Sequence, residues 1–467
     1  MSSNHSASIT KMLLFVVLLQ IWCRPAMASA STVEFLPGFH GSLPFHLETG
    51  YVGVGEGEEV QVFYYFIKSE NNPQEDPLLL WQSGGPGCSG FVGLVHEIGP
   101  LAFINQQYNG SLPSLVLRSQ SWTKVSSIIF VDLPIGSGFT YTKAKGVVEQ
   151  SDWTLIHHAH QFLRKWLINH PEYMSHKVYP AGDSYAGILI PALFQEISHA
   201  NENGVQPRIN IQGYILGNPV TTKLEINYAI PFAHGMGLIS DELYESLQQN
   251  CRGNYQNIDP RNLLCLRDFQ SFQELTAEVD HAQILEPAFC GYDLNSMPQG
   301  STILKRSLTQ KVKASDYTAS RCRRYEYFEA VYWANNDDVR QALHVRKGTV
   351  GHWERCRNIT TYKFDINSSF HFHVNLSAKG YRSLIYSGDH DMIVSFLSTQ
   401  AWIRSLNYSI VHDWRPWHFN SQVAGYTRTY SNRMTFATVK GAGHTVPEFK
   451  PEECLAMFKR WIANENL

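Results

Sequence analysis

An α/β fold, with a central mixed sheet and an inserted cap region, is the fold class that this sequence predicts. Three segments support the prediction, because in each an apolar, strand-like stretch leads directly into a tight turn with a reactive side chain. In chain order these turns contain Ser184, the pair Asp389 and Asp391, and His444. The order serine, acid, histidine is that of the α/β-hydrolase fold and differs from the orders in the chymotrypsin and subtilisin folds. We therefore expect an α/β-hydrolase core.

The first turn is similar to the G-x-S-x-G pattern, with Ala-Gly at its second glycine. It reads Gly-Asp-Ser-Tyr-Ala-Gly over residues 182–187, between a short apolar segment, residues 177–181, and an apolar helical segment, residues 186–197. In such a strand-to-helix turn the serine hydroxyl is exposed at the end of the sheet, and glycine is needed where a Cβ does not fit. The flanking strand and helix make Ser184 a candidate nucleophile, whereas the pattern alone is common by chance.

The other two turns supply a candidate acid and base. Residues 386–391 follow the apolar segment 383–385, and the glycine-flanked His444 follows the strand-like segment 434–439. We expect His444 to take the serine proton as general base, while a carboxylate holds the imidazole tautomer and stabilises imidazolium. From the residues alone, either Asp389 or Asp391 could be that carboxylate. We favour Asp389 as the residue that only caps the turn.

Several long motifs, in a fixed order, accompany these turns. They are Trp81-Gln82-Ser83-Gly84-Gly85-Pro86-Gly87-Cys88-Ser89-Gly90, Glu97-Ile98-Gly99-Pro100, the segment 132–139, Gly217-Asn218-Pro219, and the segments 387–391 and 441–445. Together they resemble the serine carboxypeptidases and, among these, the plant serine carboxypeptidase-like acyltransferases. The resemblance covers nearly the whole chain after the first 30 residues. It implies that Asp391 is the catalytic acid and that the backbone N–H groups of Gly85 and Tyr185 form an oxyanion hole.

The resemblance also bears on what the site binds. In the peptidases an asparagine and two glutamates grip the terminal carboxylate of a peptide; here Ser83, followed by Gly84, stands at the asparagine, Asp183 at the first glutamate, and Glu97 matches the second. Aspartate is shorter than glutamate by one methylene, about 1.5 Å, which exceeds the tolerance of a hydrogen bond. The carboxylate grip should therefore be weakened.

Three functions follow from this pattern. The first is transfer of a hydroxycinnamoyl-type acyl group from a 1-O-β-glucose ester to an acceptor hydroxyl or amine. The alternative is hydrolysis of C-terminal peptide bonds at acid pH, where carboxyl groups that face a carboxylate share protons. A non-catalytic binding protein is the third, and the intact Ser184, Asp391 and His444 argue against it. Two departures from the relatives, Gln82 and Ser395, could alter the pocket or be neutral.

With 467 residues, the chain is longer than one hydrophobic core usually grows. We expect core segments at 31–220 and 334–467, and a cap at 221–333, where strand alternation is lost and cysteines appear. Residues 298–320 are polar and contain paired basic residues. By the resemblance they are either an excised linker or a flexible loop, so the protein would be a monomer or a disulfide-linked two-chain form.

Charge and cysteine spacing exclude some functions. The chain has 38 basic and 41 acidic residues, and no basic stripe interleaved with aromatics, so nucleic acid is not an expected partner. No C-x-x-C pair occurs, which leaves a zinc site with little support. We expect no metal and no cofactor. The expected ligands are a small-molecule acyl glucose ester and its acceptor.

The first 30 residues predict a signal peptide. Lys11 precedes an apolar run over residues 12–22 and then a series of small residues up to Ser31. The run of about 11 residues is shorter than the ~20 of a membrane-spanning helix, which favours cleavage near Ala28 or Ala30 over a membrane anchor. The protein is therefore expected in the secretory pathway, in the vacuole or outside the cell.

An oxidising compartment favours disulfides among the seven cysteines that remain, of 8, once Cys23 leaves with the leader. Their number leaves one thiol over and many connectivities open. The resemblance implies the pairs Cys88–Cys356, Cys251–Cys265 and Cys290–Cys322, with Cys454 free. Asparagines in N-x-S/T, which are candidate glycosylation sites, are Asn109, Asn358, Asn367, Asn375 and Asn407.

Overall fold

A computed structural model describes residues 30–104, 110–288 and 323–467 of the chain. Several sequence predictions lie outside these residues: the signal peptide, the possible linker at 298–320, the glycosylation site at Asn109, and the disulfide between Cys290 and Cys322. They stay predictions. In the described part of the chain, no helix combines the length and the apolar character that crossing a membrane requires.

The centre of the fold is a mixed sheet of twelve strands within the described residues, in the order β1-β2-β3-β7-β4-β10-β11-β13-β16-β15-β14, with β8 paired to β3. The strands of the chain are β1 (Ser31–Val33), β2 (Leu47–Val54), β3 (Val60–Ile67), β4 (Leu78–Gln82), β5 (Leu101–Phe103), β6 (Leu115–Leu117), β7 (Ser127–Val131), β8 (Tyr141–Thr142), β9 (Gln150–Ser151), β10 (Val178–Asp183), β11 (Gly213–Gly217), β12 (Tyr362–Lys363), β13 (Arg382–Gly388), β14 (Ile410–Phe419), β15 (Gln422–Tyr430) and β16 (Met434–Val439). Strands β7, β4, β10, β11, β13 and β16 are parallel neighbours, and antiparallel strands flank them on both sides. The predicted α/β-hydrolase fold with a mixed sheet is therefore confirmed.

Helices cover both faces of this sheet and also form the predicted cap. They are α1 (Gly90–Val92, continued by a π-helical turn at Gly93–Glu97), α2 (Asp152–Asn169), α3 (Ala186–Glu202), α4 (Ala229–Gly235), α5 (Asp241–Cys251), α6 (Leu263–Thr276), α7 (Arg324–Ala334), α8 (Asp337–Ala342), α9 (Phe370–Ala378), α10 (Phe396–Ser405), α11 (Val446–Phe449) and α12 (Pro451–Ile462). Short 3₁₀ turns occur at Trp122–Lys124, Pro171–Tyr173 and Glu225–Tyr228.

Alternating residues of strand β3 show how one sheet supports two cores. Tyr64 and Phe66 belong to the cluster that contains residues of α2 and α3, whereas Phe63 and Tyr65 belong to the cluster that contains residues of α1, α7 and α12. Successive strand residues point to opposite faces, and a central strand buried on both faces is therefore apolar throughout. Packing on both faces therefore fixes the sheet whose strand ends carry the candidate site.

The described part of the predicted cap is helical and has a small core of its own. Helices α4, α5 and α6 share a cluster that includes Phe232, Leu247 and Phe272. The segment that follows them reaches the sheet through its backbone: the N–H of Met392 donates to the carbonyl of His281 (2.9 Å), and the N–H of His444 donates to that of Ala282 (2.6 Å). The cap thus contacts the loops that carry the candidate acid and base.

Two of the three predicted disulfides, Cys88–Cys356 and Cys251–Cys265, are formed, and Cys454 is a buried free cysteine on α12. The asparagines at 358, 367, 375 and 407 are all exposed. Residues 209–216 form an apolar segment, but strand β11 begins at Gly213. The Asn201 side chain binds both the N–H and the carbonyl of Ile209, and Ile211 makes only an isolated bridge to Val178.

Candidate active site

Ser184 lies in the turn between strand β10 and helix α3. Its φ angle is 54°, in the left-handed region that non-glycine residues rarely adopt. The two glycines of the turn are required by close neighbours, because a Cβ on Gly182 would lie 2.2 Å from the carbonyl oxygen of Gln82 and one on Gly187 would lie 2.4 Å from that of Val220. The strained turn is therefore held by strand β4 on one side and the segment after β11 on the other, and it exposes the hydroxyl at the end of the sheet.

Three predicted site residues form one continuous hydrogen-bonded chain. His444 Nε2 lies 2.8 Å from the Ser184 hydroxyl, and His444 Nδ1 lies 2.8 Å from Asp391 Oδ2. With Asp391 as acceptor, the ring proton is assigned to Nδ1, which leaves Nε2 free to accept the serine proton. The arrangement is that of a general base poised beside a nucleophile.

Asp391 is fully buried and tightly held. Its Oδ2 accepts a hydrogen bond from the Asn218 side chain (2.7 Å), and its Oδ1 accepts one from the N–H of Ile393 (2.8 Å). Burial on its own would lower the pKa of His444, but the Asp391 carboxylate outweighs it and raises that pKa, with a smaller contribution from Asp183. Asp391 therefore stabilises the imidazolium that proton transfer creates.

Asp389, the alternative acid, lies elsewhere. Its Oδ1 accepts hydrogen bonds from the N–H of Gly441 (2.7 Å) and binds His390 Nδ1 (2.6 Å). It thereby joins the loop after β13 to the loop that leads to His444. This is the turn-holding role that the sequence favoured for it.

The loop after strand β4 lies directly against the Ser184 turn. A Cβ on Gly84 would lie 2.7 Å from the Ser184 Cβ and 3.0 Å from the backbone nitrogen of Tyr185, so only glycine permits this approach. Tyr185 is the N-cap of α3, where backbone N–H groups have no partner within the helix. Gly85, with φ of 113°, is the next residue of the loop. Gly85 and Tyr185 thus belong to the two backbone segments that meet at Ser184, and their N–H groups stay the predicted donors of an oxyanion hole.

A pair of buried carboxyl groups lies beside this loop. Asp183 Oδ1 accepts a hydrogen bond from the N–H of Gly84 (3.2 Å), and burial raises the pKa of Asp183 to about 6. Burial also raises the pKa of Glu97, and the nearby charges of Asp183 and Glu448 add to it. Ser83 Oγ and Glu97 Oε2 are buried and have no hydrogen-bond partner among the residues that the structure describes.

Three residues of this site were not expected from the sequence. Asn218 was noted within a motif without a role, although it bridges Asp391 and the N–H of Gly388. Glu448 accepts hydrogen bonds from Tyr327 and Thr445. The sequence pattern that could have indicated it is Thr-x-x-Glu, which is typical of a helix start. Arg355 packs over the Tyr327 ring at 4.1 Å, and no local pattern points to it. The described residues contain no group of three or more side chains that could hold a metal ion.

The family model and the curated relatives that match this chain agree on one family. The sequence model of the serine carboxypeptidase family matches residues 37–464. Serine carboxypeptidase-like 12 of Arabidopsis thaliana is 54% identical over 442 residues, which cover 94% of this chain and 95% of that protein. Serine carboxypeptidase-like 2 of the same plant is 51% identical over 468 residues and covers 100% of both chains.

Among solved structures, Kex1Δp, a prohormone-processing carboxypeptidase from Saccharomyces cerevisiae, superposes with a TM-score of 0.69. It is 20% identical in sequence and covers 90% of this chain and 91% of its own. At this identity the likeness concerns the fold.

Proposed function

Because the chain belongs to the serine carboxypeptidase family, we propose that Ser184, His444 and Asp391 catalyse acyl transfer through an acyl-enzyme. The donor is a 1-O-β-glucose ester of a hydroxycinnamoyl-type acid, and the acceptor is a hydroxyl or an amine. The observation that carries the proposal is the carboxyl site at Ser83, Asp183 and Glu97, which departs from the residues that grip a peptide carboxylate.

The chemistry proceeds in two halves. Ser184 attacks the ester carbonyl while His444 takes its proton, and the developing oxyanion receives hydrogen bonds from the N–H groups of Gly85 and Tyr185. The imidazolium then gives its proton to the glucose oxygen as the C–O bond breaks. In the second half His444 takes the proton of the acceptor, which attacks the acyl-enzyme and releases Ser184.

The carboxyl site favours a neutral leaving group. Burial raises the pKa of both Asp183 and Glu97, and the Asp183 charge raises that of Glu97 further, so that at mildly acid pH the pair retains protons and offers O–H donors. Asp183 is also drawn back towards the N–H of Gly84. Neutral donors beside an unpaired Ser83 hydroxyl suit the hydroxyl groups of a sugar, which carry no charge to be compensated.

Transfer must compete with hydrolysis. Water at about 55 M exceeds a millimolar acceptor by roughly 10⁴-fold, but well-oriented neighbouring groups reach effective molarities of about 10⁵–10⁸ M. A pocket that orients the acceptor next to His444 therefore allows transfer to exceed hydrolysis.

The test is a product-resolved assay at mildly acid pH, with a hydroxycinnamoyl glucose ester, a pool of acceptor alcohols and a blocked dipeptide. We expect new acyl esters together with free glucose, and neither product from Ser184→Ala. Changing Ser83→Asn together with Asp183→Glu should rebuild the carboxylate grip and raise the ratio of dipeptide cleavage to transfer. The exposed pair Ser431→Asn with Asp413→Glu is the matched control and should leave the ratio unchanged.

The second candidate function is a serine carboxypeptidase active at acid pH. The observation in its favour is that Glu97 is retained and that its protonated pair with Asp183 could still donate to a peptide carboxylate. Release of a free amino acid from the dipeptide, with no transfer product at any acceptor concentration, would contradict the transferase and establish this alternative.

A further inference from the structure

Gln82 is the last residue of strand β4, and the reaction steps above give it no role. It is buried, with a relative exposure of 3%. Its side-chain nitrogen Nε2 donates to the carbonyl of Ser83 (3.0 Å) and to the carbonyl of Leu133 (3.1 Å). Carbonyl oxygens only accept hydrogen bonds, so the amide is assigned with its NH2 group towards both of them. Gln82 thus ties the start of the loop after β4 to the segment that follows β7.

The bond to Ser83 holds a peptide group that also contacts Asp183. The carbonyl of Ser83 and the N–H of Gly84 belong to one planar peptide group. This N–H donates to Asp183 Oδ1 at 3.2 Å. A planar group that is bound at its oxygen and at its nitrogen resists rotation about the bonds that flank it, so its N–H keeps one direction. Gln82 therefore acts, through one peptide group, on a carboxyl group that we assign to substrate binding.

The segment that follows β7 is a firm anchor for this arrangement. Leu133 is fully buried, and the residue before it, Asp132, accepts hydrogen bonds from the Ser89 hydroxyl and from the N–H of Gly90, both at 2.7 Å. One segment therefore holds the loop after β4 at its start, through Gln82, and at its end, through Asp132. The Gln82 amide is one of the side-chain contacts that fix this loop beside the Ser184 turn.

The stability of the core does not by itself account for a glutamine at this position. Gln82 Oε1 is buried and has no hydrogen-bond partner in the described part of the chain. The side chain borders a small cavity together with apolar side chains of β4, α2 and α3, among them Leu80, Leu155 and Leu189. A buried polar atom without a partner costs free energy, and an apolar side chain would avoid that cost. This favours a role for the amide in the site over a role in packing alone.

We propose that Gln82 is a positioning residue that holds Asp183 in place at the carboxyl site, through the peptide group that lies between the two side chains. The inference rests on the proposed role of Asp183 in substrate binding. It gives a function to one of the two positions at which this chain departs from its relatives. That function is to determine how tightly the substrate binds, and it is separate from the proton transfers at His444.

The experiment is a double-mutant cycle of Gln82→Met and Asp183→Ala, because coupling between two residues appears as non-additivity. Methionine keeps the length of the glutamine side chain but cannot donate a hydrogen bond. The matched control is Gln61→Met, which alters a buried glutamine of β3 whose Nε2 donates to the carbonyl of Glu58. KM and kcat for the glucose ester are measured at mildly acid pH, and thermal unfolding verifies that each variant folds.

A second readout needs no turnover. Burial raises the pKa of Asp183 to about 6, so its carboxyl group is protonated at mildly acid pH and has an infrared band, assigned as the band that is lost in Asp183→Ala. The band should shift in Gln82→Met, because the N–H that donates to this carboxyl group is no longer held in one direction, and it should stay in place in Gln61→Met. If the wild type does not turn over the glucose ester, the proposed transfer reaction fails, whereas the infrared band still tests Gln82.

We expect Gln82→Met to raise KM about 3–10-fold while kcat stays within about twofold of the wild type, since the loss of one hydrogen bond changes an equilibrium by about this factor. In the Asp183→Ala background the same change should alter KM by less than about twofold, because the side chain on which Gln82 acts is gone. Gln61→Met should leave KM unchanged. The proposal is overturned if Gln82→Met leaves KM unchanged, if it raises KM equally in the Asp183→Ala background, or if the Asp183 band does not shift.

Discussion

The sheet core and the inserted region at residues 221–288 bury side chains on different scales. Large rings such as Trp81, Trp122 and Trp333 are fully buried in the core. In the inserted region, Leu263 is 72% exposed and Leu285 is 67% exposed, and a small cluster is joined by the Cys251–Cys265 disulfide. A large core can hold a strained turn in place, whereas a small one needs a covalent link.

The two regions meet at the site through backbone groups and through side chains, since Met392 belongs to the cluster of α4, α5 and α6. The carbonyls of His281 and Ala282 accept hydrogen bonds from the N–H groups of Met392 and His444. Such bonds do not depend on side-chain identity. These bonds hold the loops of Asp391 and His444 whichever side chains the inserted region carries, whereas the packing of its helices on Met392 does depend on them.

The largest expected effect comes from the core. Ser184→Ala should reduce kcat by about 10⁴-fold or more with an unchanged melting temperature, because the nucleophile is lost while its turn is held by neighbouring backbone. The measurement is steady-state turnover together with thermal unfolding. Substantial turnover in Ser184→Ala would contradict this prediction, because the nucleophile would then lie outside the turn that carries Ser184. Ser431→Ala, an exposed serine, serves as the control.

A pair of truncations separates the stability of the two regions. The Phe458 ring stacks on Trp122 with centroids 4.1 Å apart, and Phe458→Ala should lower the free energy of unfolding by about 3–5 kcal/mol. Phe272→Ala, in the inserted region, should lower it by less, because the small cluster can open without unfolding the sheet. Urea unfolding checks this, with tryptophan fluorescence for the core and limited proteolysis for the insert. Equal losses would show that the two regions unfold as one.

Removal of each disulfide compares the two regions in a second way. Cys251 and Cys265 are 14 residues apart, and Cys251→Ser with Cys265→Ser should destabilise the inserted region by about 3 kcal/mol. We expect faster proteolysis there, with hydrolysis of a small activated ester retained. The corresponding change at Cys88 and Cys356 should instead reduce turnover, because that bond tethers the loop of Gly85. Loss of ester hydrolysis in the first variant would mean that the insert also holds the catalytic turn.

The smallest effect concerns the pH dependence of stability. The pKa of Asp183 is raised from 3.8 to about 6, so between these values the native state holds a proton that the unfolded state has lost. The free energy of unfolding should therefore fall by about 2–3 kcal/mol as pH rises from 4 to 6. Asp183→Asn should flatten this slope in urea titrations at several pH values. The buried carboxyl of Asp132 also has a pKa raised to about 6, so the part of the fall in the free energy of unfolding that is due to Asp132 should remain in this variant. An unchanged slope in Asp183→Asn would contradict the raised pKa of Asp183.

Local patterns were sufficient for the elements around the site. The strand before Ser184 and the helix after it were both expected from apolar segments on either side of a glycine-containing turn. The disulfides at Cys88–Cys356 and Cys251–Cys265 came from resemblance to a family, since cysteine number left their pairing open. The apolar segment at 209–216 does not show where β11 begins, because the backbone of Ile209 is bound by the Asn201 side chain, which comes from another element.

What the sequence by itself determined was the class of fold and the order of Ser184, acid and His444, because apolar segments and the turns that follow them depend on neighbours along the chain. The tertiary structure decided between Asp389 and Asp391, since only a distance shows which carboxylate reaches the imidazole. It also revealed Asn218 and Glu448 as partners of the site. Burial and like charges set the protonation of Asp183 and Glu97, and both arise only when residues far apart in the sequence meet in a dry interior.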